Sequence, residues 1–152
     1  MGRFKKLSHT IYECKFHSVW IPKYRYRVMT GEVQAYIHNQ LRRLCAWKKL
    51  EIIELNVQPE HVHIVLWIPP NLSVSQVLGF LKGKTALRIM DKYPSLRKRY
   101  WTKHFWSPGY CVTTIGLDEE MIQKYVLWQQ KKDQAQEQIE QQNLFGKTHL
   151  LK

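Results

Sequence analysis

At 152 residues the chain can bury a real core but leaves no room for a second domain of ordinary size. Twenty-four Lys and Arg against 12 Asp and Glu give a net charge of +12, which favours a polyanionic partner, nucleic acid first and an anionic membrane second. No run of about 18 apolar residues occurs and no apolar segment follows the basic start, so neither a spanning helix nor a secretory signal is expected and the protein is read as cytoplasmic. Cys14, Cys45 and Cys111 are odd in number and widely separated, which fits buried thiols rather than disulfides or a Cys-based zinc site.

Residues 10–21 alternate well enough for a strand, with Tyr12, Cys14, Phe16 and Trp20 on one side, and Pro22 ends it. The exit interleaves cations with rings in Lys23-Tyr24-Arg25-Tyr26-Arg27, a pattern that suits a phosphate backbone with stacked bases as well as a solvated basic loop. A helix is predicted over 32–48, with Val33, Ile37, Leu41 and Leu44 on one face. Residues 50–57 alternate, with Ile53, Leu55 and Val57 set against Glu54 and Asn56, and a turn at Gln58-Pro59-Glu60 leads into His61-Val62-His63-Ile64-Val65-Leu66-Trp67-Ile68 as a hairpin.

A second helix opens at Ser73, where Ser73-x-x-Gln76 reads as a capping box ahead of Val74, Val77, Leu78, Leu81 and Thr85. Lys82, Lys84 and Arg88 lie off that stripe, as a solvated charged face or as phosphate contacts, and Gly79 and Gly83 leave room for a close approach by another backbone or a phosphate chain. Residues 92–109 read as irregular, 110–115 as a short fourth strand, and 118–132 as a helix with acids at its positive end. Beyond it, 134–152 is a polar, Gln-rich extension to a single domain over 1–133, without enough apolar residues to pack firmly. Strand, helix, strand, strand, helix, strand is the split βαβ or ferredoxin-like order. The fold class is therefore α+β, an antiparallel sheet with helices on one face, the His61 strand central, and one added C-terminal helix.

Alternation puts Val62, Ile64, Leu66 and Ile68 on one face of that strand and His61 and His63 on the other. Two imidazoles about 6 to 7 Å apart on one side can reach one divalent metal. An isolated His-x-His more often marks the solvated face of a half-buried sheet, so the pair needs support from elsewhere. On the last helix, Tyr125 and Gln129 are one turn apart on one face, where a phenol and an amide oxygen can approach one point.

His61-Val62-His63 on a central strand, followed by a late helix carrying Tyr125-x-x-x-Gln129, resembles the HUH single-tyrosine transposases, the TnpA-type enzymes of insertion sequences that move as single-stranded DNA. Ser18-Val19-Trp20-Ile21-Pro22-Lys23-Tyr24-Arg25, Pro59-Glu60, Ser73-Val74-Ser75-Gln76, Leu81-Lys82-Gly83-Lys84 and Phe105-Trp106-Ser107-Pro108-Gly109-Tyr110 share the likeness, which covers about residues 9–130. Glu60 stands where such enzymes more often have Asp, and Asn71 where a Lys is common.

The resemblance implies that Tyr125 is the nucleophile and that the product is a 5′-phosphotyrosine with a free 3′-hydroxyl. It also implies a homodimer in which one subunit's Tyr125 faces the partner's histidine pair, acting on single-stranded DNA with hairpin ends. Cleaving a phosphodiester calls for an in-line nucleophile and a cation on the non-bridging oxygens. A metal on His61, His63 and Gln129 answers that need, and nitrogen with amide oxygen favours Mg²⁺ or Mn²⁺ over structural zinc. Lys23, Arg25, Arg27, Lys82, Lys84 and Arg88 are the candidate DNA contacts. Rejoining needs no ATP, and no P-loop motif is present. A non-catalytic ferredoxin-like nucleic-acid-binding module, a metal nuclease that uses water, and a domesticated nickase remain alternatives at this level.

Overall fold

A computed structural model describes residues 3–99 and 104–150. Its frame is a four-stranded antiparallel sheet of β3 (Lys15–Trp20), β4 (Ile52–Gln58), β5 (His61–Trp67) and β6 (Cys111–Thr113) in the spatial order β4-β5-β3-β6. Helix α1 (Gly31–Trp47) connects β3 to β4, and α2 (Val74–Lys92) connects β5 towards β6. Counted in chain order, the strands lie fourth, first, third, second across the sheet, the ferredoxin-like arrangement expected from the element order.

Register decides the faces. Trp20 pairs with Val62, Ser18 with Ile64 and Phe16 with Leu66, and these residues turn towards the α1 and α2 side. There Ile37, Leu41 and Leu44 of α1 meet Val77, Leu78, Leu81 and Ile89 of α2 in the main core. The α2 stripe starts where the capping box places it: Ser73 Oγ accepts from the Gln76 amide at 3.0 Å, and Gln76 Oε1 accepts from the Ser73 amide at 2.9 Å. Apart from the helix's own backbone, no described residue lies within 4 Å of where a Cβ on Gly79 or Gly83 would stand, so the described chain leaves that surface of α2 open.

The other sheet face is covered by α4 (Glu119–Leu150), whose Ile122 and Val126 pack on Val19 and Ile21 of the β3 segment. Each such side chain contributes about 1.5–3 kcal/mol when fully buried. Helices therefore lie on both faces, α1 and α2 on one and the appended helix on the other. Asp118 Oδ1 caps α4 by accepting from the Met121 amide at 2.8 Å. The buried residues of α4, Ile122, Val126, Gln129 and Asp133, form one narrow stripe that stops at Asp133.

Four expectations are corrected. Residues 10–21 are not one strand: β2 (Thr10–Tyr12) pairs with β1 (Lys5–Leu7) in a separate hairpin, and β3 begins at Lys15. Leu55 and Val57 of β4 face the core as expected, but a bulge between Ile52 and Glu54 turns Ile53 out to solvent and packs Ile52 on the core instead. The segment read as irregular holds α3 (Pro94–Arg99), which Pro94 opens with its preset φ and Leu96 holds against the core. Tyr100 and Trp101, read as part of the same irregular run, fall outside the described residues. The Gln-rich extension continues α4 as helix without burying a described side chain beyond Asp133. Among the described residues no helix is long and apolar enough to cross a membrane.

Candidate active site

β5 is an inner strand, so its histidine face is not solvated: His61 is 4% exposed and His63 7%. His63 pairs with Val19 across β3, and Val19 pairs on its other side with Cys111 of β6. This cross-strand row runs from the imidazole into the apolar seam that seats α4, where Tyr125 packs with Cys111 and Leu117 around Val19, Ile21, Ile122 and Val126. A third imidazole on this face, His17, stacks on His63 with ring centroids 5.8 Å apart.

Nδ1 of His61, Nε2 of His63, Nδ1 of His17 and Oη of Tyr125 are all buried without a hydrogen-bond partner among the described residues, as is Trp20 Nε1 in the main core on the other face. Buried polar atoms are normally paired, so a concentration of unpaired ones asks for a reason. Burial lowers the pKa of His61; Glu60 and Glu119 oppose the shift and His63 adds to it. Burial also lowers that of His63, with His17 adding to the fall and Glu54 and Glu119 opposing it. Both rings are neutral at physiological pH and keep a nitrogen lone pair, the form that ligates metals. Burial pushes the Tyr125 phenol above its ordinary range, and Cys111 and Asp133 add to the rise. The phenol is thus protonated at neutral pH and needs help to act as a nucleophile.

Gln129 is 3% exposed, and its Nε2 donates to Asp133 Oδ1 at 3.1 Å. That leaves the amide carbonyl as its ligand-capable end. Among the described residues no group of three or more His, Cys, Asp or Glu is placed to hold a metal ion. A divalent ion on the histidine pair therefore fits only with another kind of donor, such as the oxygen of an amide or of a phosphate. The closest tie recorded for Gln129 is to Asp133 rather than to the histidines.

The basic residues divide. Lys82 is half-buried, donates to the Ser107 carbonyl at 2.9 Å and to that of Gly109, and has its pKa brought down to about 8 by burial, with Asp133 pulling the other way. Arg88 Nη1 donates to Gln40 Oε1 at 2.7 Å, and Arg27 pairs with Glu60. Lys23 lies 4.0 Å from Asp133, while Lys84 is exposed on α2. Arg25 and Arg27 line an open cleft of about 480 Å³ with Tyr26, Arg99 and Gln130. Tyr24 and Arg25 hold left-handed backbone, with φ of 61° and 53°, a conformation that costs non-glycine residues about 1 kcal/mol or more. The hydrogen bonds that hold the strained turn include Lys23 N–H to Phe105 O at 2.8 Å, Arg25 N–H to Pro22 O at 2.9 Å, Tyr26 N–H to Lys23 O at 3.4 Å and Tyr24 N–H to Asp133 Oδ2 at 3.1 Å.

Sequence reasoning passed over Asp133, Ser107, His17 and Glu119. Asp133 had a signal, since it repeats the four-residue step that relates Tyr125 to Gln129.

The family model described as "Transposase IS200 like" matches residues 10–129. The chain is similar to the transposase for insertion sequence element IS200 of Salmonella typhimurium LT2, 40% identical over 139 residues that cover 91% of each chain. It is similar to the ISDra2 transposase TnpA of Deinococcus radiodurans, 35% identical over 130 residues, covering 85% of this chain and 93% of that one. Among solved structures, that of a candidate transposase from Deinococcus radiodurans R1 superposes with a TM-score of 0.74 at 31% identity, covering 82% of this chain and 97% of the other. With a family model spanning most of the chain and curated relatives matched over nearly their whole length, the protein belongs to the IS200-like transposase family.

Proposed function

We propose that the protein cleaves and rejoins single-stranded insertion-sequence ends with Tyr125 as nucleophile. The observation that carries this reading is the set of buried, unpartnered atoms on the α4 face of the sheet, the Tyr125 oxygen and one nitrogen each of His61 and His63. A passive nucleic-acid-binding module has no use for them, and filling them with apolar side chains would spare the desolvation cost.

In the reaction the Tyr125 oxygen loses its proton and bonds to the scissile phosphorus, and the bond from phosphorus to the 3′ oxygen breaks. The leaving 3′ oxygen takes a proton and the 5′ end stays on the tyrosine. One phosphodiester replaces another, so the reverse attack by a 3′-hydroxyl rejoins a strand without ATP. His61, His63 and the Gln129 carbonyl would hold Mg²⁺ or Mn²⁺, which when bound supplies positive charge to the phosphate and eases phenol deprotonation. The neutral, buried imidazoles supply fixed lone pairs, and the α4 seam keeps bulk water from the phenol.

The substrate is single-stranded DNA folded into a hairpin, met by Arg25, Arg27 and Lys84, and the enzyme works in the cytoplasm as a homodimer. In the single chain α4 packs on its own sheet through a seam of four buried apolar residues. The same seam is offered by a second copy, so exchanging α4 conserves every contact and gives two sites with Tyr125 supplied in trans. The test uses end-labelled element ends on a denaturing gel: a covalent protein–DNA adduct is expected from the wild type and none from Tyr125→Phe. Wild-type-level adduct from the Phe variant would remove Tyr125 from its role.

A further inference from the structure

Asp133 is 2% exposed and carries more of the local hydrogen bonding than any residue proposed for the chemistry. Its Oδ2 accepts from the Tyr24 amide at 3.1 Å and from the Ser107 hydroxyl, and its Oδ1 accepts from Gln129 Nε2 at 3.1 Å. The Lys23 ammonium stands 4.0 Å from Oδ1. Ser107 passes the tie on, since its carbonyl accepts from Lys82 of α2 at 2.9 Å. One carboxylate thus joins α4 to the strained Tyr24 turn, to the 107–109 loop and through that loop to α2.

An apolar residue could seat the helix there without the cost of desolvating a charge. What a carboxylate adds is one-sidedness. An ionised Asp only accepts, whereas the Gln129 amide has a donor end and an acceptor end of nearly the same shape. Facing Asp133, the amide must turn its nitrogen inwards to the carboxylate and its carbonyl away. Because Asp133 is itself locked by Tyr24 and Ser107, that choice is fixed before any ligand arrives.

We infer that Asp133 is a positioning residue for the metal site, one that selects the orientation of Gln129 and so presents its carbonyl oxygen to a divalent cation. The inference rests on the reading of Gln129 as a metal ligand. It assigns Asp133 no contact with DNA, metal or the reacting phosphate.

The test is a double-mutant cycle read by Mn²⁺ binding to the full chain, followed through the EPR signal of free Mn²⁺, with cleavage against Mn²⁺ concentration as a second readout. Asp133→Asn is nearly isosteric, but its one oxygen is held by the Tyr24 N–H, so its NH2 faces Gln129 and draws the Gln129 carbonyl inwards; it is expected to weaken Mn²⁺ binding about 10- to 100-fold, the usual effect of losing a partner that orients a ligand. Gln129→Ala should weaken it comparably, and adding Asp133→Asn to Gln129→Ala should weaken it no further. Ser107→Ala is the structural control: it takes one partner from the carboxylate while leaving the Gln129 contact, so it should lower thermal stability and leave Mn²⁺ binding within about threefold of wild type. Wild-type binding in Asp133→Asn alongside a loss in Gln129→Ala would overturn the role of Asp133 and leave Gln129 as a ligand. Independent, additive losses in the double variant would overturn it too. Wild-type binding in Gln129→Ala would overturn the ligand reading itself, and the inference with it.

Discussion

The ring of His17 leans over that of His63, with centroids 5.8 Å apart and 29° between their planes. His63 is thereby braced from β3 while the opposite strand places Asn56 beside it. His61→Ala and His63→Ala should abolish divalent-cation-dependent cleavage, and His17→Ala should reduce it by roughly tenfold through the lost brace. Val62, on the other face of the same strand, should affect stability alone, by about 2 kcal/mol on change to Ala. Cleavage assays in Mg²⁺, Mn²⁺ and EDTA, paired with thermal melts, separate the two classes; undiminished cleavage in EDTA would sink the metal assignment.

Tyr125→Phe removes one oxygen and keeps the ring that packs among Cys111, Leu117 and Val126. Hairpin binding should stay within about threefold of wild type while strand cleavage disappears, and melting should show no loss of stability because the lost hydroxyl had no hydrogen-bond partner. Gel shift and denaturing gel on the same preparation check all three.

Mixing inactive Tyr125→Phe and His61→Ala proteins under conditions that exchange subunits tests the shared-site dimer. With α4 exchanged, a mixed dimer has one site with both lesions and one intact, so cleavage should recover towards a quarter of the wild-type level. With α4 on its own sheet every site carries a lesion and the mixture stays dead. A monomeric mass in solution would remove the dimer.

Lys82 gives a pH signature. Its pKa falls from 10.5 in the unfolded chain to about 8 in the fold, so between those values the unfolded state binds more protons and stability should rise with pH. Below about 8 both states are protonated and the charge is a constant burden on the fold. Urea melts from pH 7 to 10 should show the rise, and Lys82→Met should flatten it. Equal slopes in both proteins would refute the assignment.

Lys84 is exposed, whereas Lys82 is tied to two carbonyls. Lys84→Ala should weaken hairpin binding and lower the salt slope by about one unit, as loss of a single phosphate contact does. Lys82→Ala should act chiefly on stability. Fluorescence anisotropy over a salt titration separates them, and a Lys84 variant with an unchanged slope would place the DNA elsewhere.

How legible all this was depended on how local the cause was. The α2 start at Ser73 and the inward face of β5 follow from short-range pattern, and both appear as read. Alternation places Leu55 and Val57 of β4 correctly, but it cannot register the bulge at Ile53, since one extra residue leaves the same string of apolar side chains. The helical form of the Gln-rich extension reflects the propensity of Gln, Glu, Ala and Leu rather than any packed stripe, so a search for apolar periodicity passes over it. In the site, the His61 and His63 pair and the Tyr125 and Gln129 pair lie within five residues of sequence each. Asp133 takes its meaning from Tyr24, 109 residues away, and from Ser107, and no local pattern connects them.

The end of burial at Asp133 makes α4 a lever. Past that point no described side chain of the helix is buried, and Phe145 lies about 18 Å beyond it at 1.5 Å per residue, while Tyr125 lies about 12 Å before it. A stiff rod tilting about a fixed point moves its two ends in opposite directions, in proportion to their distances from that point. A load on the arm at Phe145 has to lift Ile122 and Val126 off Val19 and Ile21 before the Tyr125 hydroxyl can move, and a tilt large enough to do so carries that hydroxyl the other way by about two-thirds as much.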